Sequence, residues 1–220
     1  MDVPGSWTNI QANRSRPLRR IPLSRRSHIV GFQPLPSGPV EHESALERDF
    51  VTLTSFTEPS VSITSQPVTI QYFDGRTRRH YTPDFLVTGA RRRTELIEIK
   101  YDSDLRSNRE RLEPAFGAAG AWALERCGTF RVVTELEIRG PLLANAQRLL
   151  PLRYAPIDPD LAARVLAAMQ SQKSPTFGSV LAAVPGGGSS LATLWRLIAR
   201  GLLRADLSGA ISFDTPVFAA

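Results

Sequence analysis

The period of the apolar positions changes several times along the chain, and each change marks an element. Leu46, Phe50 and Leu53 recur at i, i+4 and i+7, which predicts a helix from Ser44 to Ser55 that ends before Pro59. The period then falls to two. Val61 and Ile63, then Val68, Ile70 and Tyr72, alternate with polar residues and predict strands, with Pro67 at an edge or bend. Asp74-Gly75 is a hairpin turn signal, so Arg78 to Val87 reads as the returning strand. A second turn over Thr88–Arg93 leads into a strand from Thr94 to Tyr101. Leu105, Leu112, Phe116 and Ala119 restore a helical period over 104–126, and Pro114 implies a kink or break within it. Thr129–Val133 is a short buried strand and Pro141–Leu150 a further helix. Helix, antiparallel strands, helix, strand, helix is the order of a mixed α/β sandwich, not of a doubly wound parallel fold.

Pro151, Pro156 and Pro159 predict a linker. Beyond it come three helices: Leu161–Gln170, Pro175–Val184 capped by Ser174, and Ser189–Arg200 stopped by Gly201. A hairpin of Leu202–Asp206 and Ala210–Phe213 around Ser208-Gly209 follows. Three helices and a hairpin describe a winged helix. The predicted organisation is an N-terminal arm over 1–40, a mixed α/β domain over 41–150 and a winged-helix domain over 151–220.

Charge sharpens the picture of the arm. The chain has 220 residues and a net charge of +6, and residues 1–40 hold six arginines against one acid. Such a segment binds polyanions by counterion release, or it is simply a solvated tail. Of the 27 basic residues only Lys100 and Lys173 are lysine. A lysine at 100 in so arginine-rich a chain points to a need for a compact ammonium there. The single cysteine, Cys127, excludes an internal disulfide and a multi-cysteine metal site, and three scattered histidines argue against a histidine-rich zinc site. No apolar run reaches the ~18 residues of a membrane span, so the expected location is cytoplasmic, with no membrane partner.

The candidate chemistry lies on the two central strands. Pro83-Asp84 falls on one and Glu98-Ile99-Lys100 on the next. Strand side chains alternate, so Glu98 and Lys100 share a face while Ile97 and Ile99 point into a core. A hairpin between them brings Asp84 beside Glu98. Two facing acids can seat a divalent cation, and a lysine beside them can orient water or balance phosphate charge. The spacing alone also fits a surface hairpin with a Glu–Lys neighbour pair. Its setting in apolar strands, where unpaired carboxylates are costly, favours the site. Glu47 stands open between two roles. Ser44-Ala-Leu-Glu47 is a capping-box pattern, yet Glu43 and Glu47 share a helix face with Phe50, and either could reach the site. Gln66 is a further polar candidate, or an edge glutamine. Arg91-Arg92-Arg93 could touch phosphates, or be a solvated turn.

Taken together, Glu43 to Phe50, Gln66-Pro67, Tyr81-Thr-Pro-Asp-Phe-Leu-Val87 and Ile97-Glu-Ile-Lys100 resemble TnsA-type endonucleases of heteromeric transposons, within the PD-(D/E)XK superfamily. The resemblance covers about residues 40–135 well and the tail more loosely. It implies a restriction-endonuclease-like mixed sheet flanked by helices, followed by a small winged-helix domain. It also implies metal acids at Glu47, Asp84 and Glu98, a catalytic lysine at Lys100, and Mg²⁺ as cofactor with Mn²⁺ able to substitute. Some members carry glutamine in place of Glu98, and the acid is the general nuclease pattern. The implied activity is cleavage of the 5′ ends of the element in cut-and-paste transposition. The implied partners are double-stranded transposon-end DNA, a DDE-type transposase and an AAA+ ATPase regulator. A stand-alone restriction or repair nuclease, and a non-catalytic DNA-binding adaptor, are the competing functions.

Overall fold

The structure is a computed structural model, and it describes residues 31–220 apart from 36, 90, 91 and 127, with the backbone alone at 92 and 93. The basic stretch up to residue 30, Arg91 and Cys127 therefore lie outside the described residues. The elements are β1 (Gly31–Leu35), β2 (Gly38–His42), α1 (Ala45–Thr57), β3 (Ser62–Ser65), β4 (Ile70–Phe73), β5 (Arg78–Tyr81), β6 (Phe85–Gly89) and β7 (Arg92–Ile99). They continue with α2 (Asp102–Ser107), α3 (Arg109–Leu124), β8 (Thr129–Val133), α4 (Glu135–Ile138) and α5 (Pro141–Leu149). The C-terminal part holds α6 (Pro159–Gln170), α7 (Phe177–Ala183), α8 (Gly188–Ala199), β9 (Leu203–Ala205) and β10 (Val217–Ala219).

The centre is a four-stranded mixed sheet in the order β3-β6-β7-β8. The first two pairings are antiparallel, and β7 pairs β8 in parallel. The parallel step requires a crossover, which α2 and α3 supply. Alternation along β7 divides its side chains between two cores. Ile97 and Ile99 join Ile63, Phe85 and Val87 beneath Leu46, Phe50 and Val51 of α1. Leu96 faces the other way, onto Ala119 and Ala123 of α3 and onto Val68 and Ile70. Small residues at 115, 119 and 123, all buried, let α3 lie close to the sheet. Gly128 completes that approach: a Cβ there would stand 2.7 Å from the Thr94 carbonyl oxygen. A mixed sheet with helices on both faces is the predicted fold class of the main domain.

Several expectations change. The end of the arm expected over 1–40 is structured: Gly31–Leu35 and Gly38–His42 form the antiparallel hairpin β1–β2. The returning strand 78–87 is two strands. β5 pairs with β4, and β6 pairs with β3. Pro67 and Pro83 lack the N–H that an unbroken ladder would use, so the ribbon bends between its halves. Gln66 absorbs the bend with a positive φ of 44° and donates its N–H to the Asp84 carbonyl at 2.8 Å. Asp84 therefore sits in the bend just before β6, not on a strand, and Lys100 lies just past the end of β7. The helix expected over 104–126 breaks at Asn108, whose side-chain amide caps the Asp104 carbonyl, and Pro114 rides inside a continuous α3.

In the C-terminal part the predicted helices are present with altered caps. Pro159 opens α6 behind an Asp158 cap instead of lying in a linker. Thr176, not Ser174, caps α7, in a capping box with Ser179. Gly201 closes α8 with φ +69°. Its N–H donates to the Ile198 carbonyl and that of Leu202 to the Leu197 carbonyl, the paired pattern of a Schellman motif. The hairpin pairs β9 with Val217–Ala219, not with Ala210–Phe213. The reason lies in the carbonyls of the intervening loop: those of Phe213 and Thr215 accept from Gly178 and Phe177 at the start of α7 and so are not free to form a strand.

Candidate active site

The bend and the end of β7 bring the motif residues together. Glu98 alternates onto the α3 side of the sheet and is 3% exposed. Its Oε1 lies 2.6 Å from Lys100 Nζ, and its Oε2 accepts a hydrogen bond of 2.6 Å from the Tyr81 hydroxyl. Asp84 reaches the same place from the bend before β6, and its Oδ2 accepts the Ile99 N–H at 2.7 Å. Burial raises the Asp84 pKa well above the ordinary carboxylate range, and the charges of Glu98 and Glu47 raise it further. Burial works against the charge on Lys100, but Glu98, Asp84 and Glu47 outweigh it and hold the ammonium above its usual pKa. Lys100 is therefore protonated at neutral pH beside Glu98.

Glu47 makes the capping contacts that Ser44-Ala-Leu-Glu47 predicts. Ser44 caps α1 by accepting the Glu47 N–H at 3.1 Å. The Glu47 carboxylate returns the contact: Oε2 accepts the Glu43 N–H at 2.7 Å and Oε1 accepts the Ser44 hydroxyl at 2.9 Å. The cap thus holds the carboxylate, whose charge still acts on Asp84 and Lys100. Burial is the largest influence on Glu47 itself and raises its pKa. Gln66, named only as a polar candidate, donates from Nε2 to Glu43 Oε1 at 2.9 Å and links the bend to the start of α1.

Tyr81 is the residue the sequence reading missed. Burial raises its hydroxyl pKa, and the adjacent Glu98 charge raises it further, so it stays a donor. Its position three residues before Asp84 was visible, but its partner lies across the bend, which no local period reveals. His80 lies on the exposed β5. Among the described residues, no group of three or more His, Cys, Asp or Glu side chains is gathered ready to hold a metal ion. The donor chemistry nonetheless fits a hard cation, with carboxylate oxygens from Glu98 and Glu47 close enough to Asp84 to raise its pKa.

Asp84 just before β6, Glu98 on β7 and Lys100 just past its end, on a helix-flanked mixed sheet, form an arrangement similar to that of restriction-endonuclease-like domains. The family comparison is narrower. Residues 59–135 match the model described as TnsA-like endonuclease N terminal, and that match supports a TnsA-type endonuclease. It spans less than half of the chain. Asp84, Glu98, Lys100 and Tyr81 fall inside it, while Glu47 and the C-terminal part fall outside. No curated protein matches the chain. Among the described residues, no helix is long and apolar enough to cross a membrane.

Proposed function

We propose that the protein is a Mg²⁺-dependent DNA endonuclease subunit that cleaves the 5′ ends of a transposon during cut-and-paste transposition. The observation that carries this reading is the convergence of Asp84, Glu98 and Lys100 at one end of β6 and β7, inside the segment that matches the TnsA-like endonuclease family. Asp84 and Glu98 would hold the ion, with Mn²⁺ able to replace Mg²⁺, and Glu47 would add charge from the start of α1. When bound, the ion supplies Lewis acidity at the phosphodiester. Lys100, kept protonated by its carboxylate neighbours, orients the attacking water or meets the negative charge that grows on the phosphoryl oxygens.

The partners that follow are double-stranded end DNA, a DDE-type transposase that cuts the other strand, and an AAA+ ATPase regulator. The C-terminal helices and hairpin, taken as a winged helix, serve protein contact better than base reading. Leu194, Leu197 and Ile198 of α8 are buried, and Arg200 is spent on the carbonyls of Arg153 and Ala155. A helix that reads bases instead presents several polar and basic side chains to the groove. The test is strand cleavage of transposon-end DNA with Mg²⁺, first with the protein alone and then with the transposase added. Cleavage of the 5′ strand that depends on the transposase and disappears in Asp84→Ala supports the reading. Full cleavage without any partner points to a stand-alone nuclease, and none under either condition to a DNA-binding adaptor.

A further inference from the structure

Tyr81 reaches Glu98 from β5, a strand outside the four-stranded sheet, across the bend at Thr82-Pro83-Asp84. Its ring is buttressed on the α3 side: Phe116 lies 6.1 Å away at a tilt of 59°, and Phe116 is itself 5.4 Å from Phe130. The residue packs against the apolar cluster that holds Val68, Ile70, Leu96 and Ala119, a setting that phenylalanine would also fit. The hydroxyl is thus the part of the side chain that packing does not explain. A carboxylate has about four lone-pair directions. Tyr81 takes one on Oε2 and Lys100 one on Oε1, both at 2.6 Å, so the Glu98 carboxylate is held at both ends. A hydrogen bond to a charged acceptor is about twice as strong as one between neutral groups, and it fixes orientation.

We propose that Tyr81 is a positioning residue that holds the Glu98 carboxylate so that its remaining lone pairs are available to a divalent cation shared with Asp84. The role rests on the reading of Glu98 and Asp84 as metal acids. Loss of a partner that orients a ligating carboxylate weakens metal binding by about 10–100-fold. A purely structural tyrosine would change stability and leave the ion affinity of the folded protein alone.

The experiment is calorimetric titration of Mn²⁺ into the full chain without DNA, for wild type, Tyr81→Phe, Asp84→Asn and Glu98→Gln, with far-UV circular dichroism to confirm folding. Tyr81→Phe keeps the ring and its packing. Its Mn²⁺ affinity should fall about 10–100-fold, and the Mg²⁺ concentration needed for half-maximal cleavage should rise in parallel while KM for DNA stays near wild type. Wild-type Mn²⁺ affinity in Tyr81→Phe, with binding lost in Asp84→Asn and Glu98→Gln, overturns the role of Tyr81 and leaves the metal site standing. Wild-type affinity in all three variants overturns the metal site and the role of Tyr81 with it.

Discussion

Asp84 is the residue whose environment conflicts most with its charge. Burial and two neighbouring carboxylates raise its pKa, so its ionised form opposes folding when no cation offsets it. Asp84→Asn keeps an oxygen for the Ile99 N–H and removes the charge. The variant should melt higher than wild type at neutral pH in chelator, by roughly 2–4 °C for each kcal/mol relieved, and should cleave at least about 10³-fold more slowly. A melting temperature at or below wild type would mean that the carboxylates do not strain the fold. Lys100→Arg should also be inactive, because the planar guanidinium cannot take the place of a compact ammonium 2.6 Å from Glu98. The nearness of Glu98 and Lys100 could be read from the sequence because alternation near the end of β7 is local, whereas Asp84 sits in a bend and not on the expected strand. Tyr81 could not be read in this way, because its contact with Glu98 depends on a bend set by residues 66 and 82–84.

At the scale of elements, the long periodic segments were legible and the bends were not. α1 and its cap follow from Ser44 and the apolar positions of the helix. The split of one long ribbon into β3/β6 and β4/β5 needed the strained Gln66, which no propensity announces. Glu47 tests how far an element end serves the site. Loss of a cap costs about 0.5–2 kcal/mol, so Glu47→Ala should lower the melting temperature by a few degrees. If its charge also serves catalysis, Glu47→Gln, whose single amide oxygen keeps one of the two acceptor contacts, should lower the cleavage rate by far more than its small loss of stability explains. Asp74 gives the β4–β5 turn its own pH signature. It accepts the N–H groups of Thr77 and Arg76 and pairs with Arg79 at 2.7 Å, and these contacts hold its pKa far below the ordinary carboxylate range. A depressed folded-state pKa contributes stability above the unfolded value, and that stability is lost as pH falls through the folded one. Asp74→Ala should therefore destabilise the protein at pH 7, and the gap from wild type should narrow only at pH below about 3.8. A gap that closes by pH 5 would contradict the assignment.

At the scale of the whole molecule, the boundary expected near residue 150 is crossed by packing that the prolines of 151–159 did not foretell. Leu149 of α5 is fully buried in the core of the C-terminal helices, and Phe56 of α1 packs against that core. Buried Asn145 donates to the carbonyls of Leu207 and Gly209 at 2.9 and 2.8 Å, which ties the loop before β10 to α5. Arg153 donates to the Ser55 and Phe56 carbonyls at the end of α1 and to the Ala199 carbonyl at the end of α8. Two helix C-termini thus converge on one guanidinium, where a cation also meets the partial negative charge of both dipoles. These contacts couple the helix that starts at the candidate site to the helix that ends the C-terminal trio. Wild type should therefore melt in one cooperative transition. Arg153→Met keeps some of the aliphatic stem and leaves three carbonyls without their donor. It should cost about 1–3 kcal/mol, discounted for a partly exposed group. It should also separate the transition in calorimetry, with the C-terminal helices melting first and α1 with its sheet later. Asn145→Ala should act in the same direction, because it leaves the carbonyls of Leu207 and Gly209 without the amide that now satisfies them. Two transitions already present in wild type, or a variant that loses stability uniformly in one, would show that the two parts are not held together at Arg153.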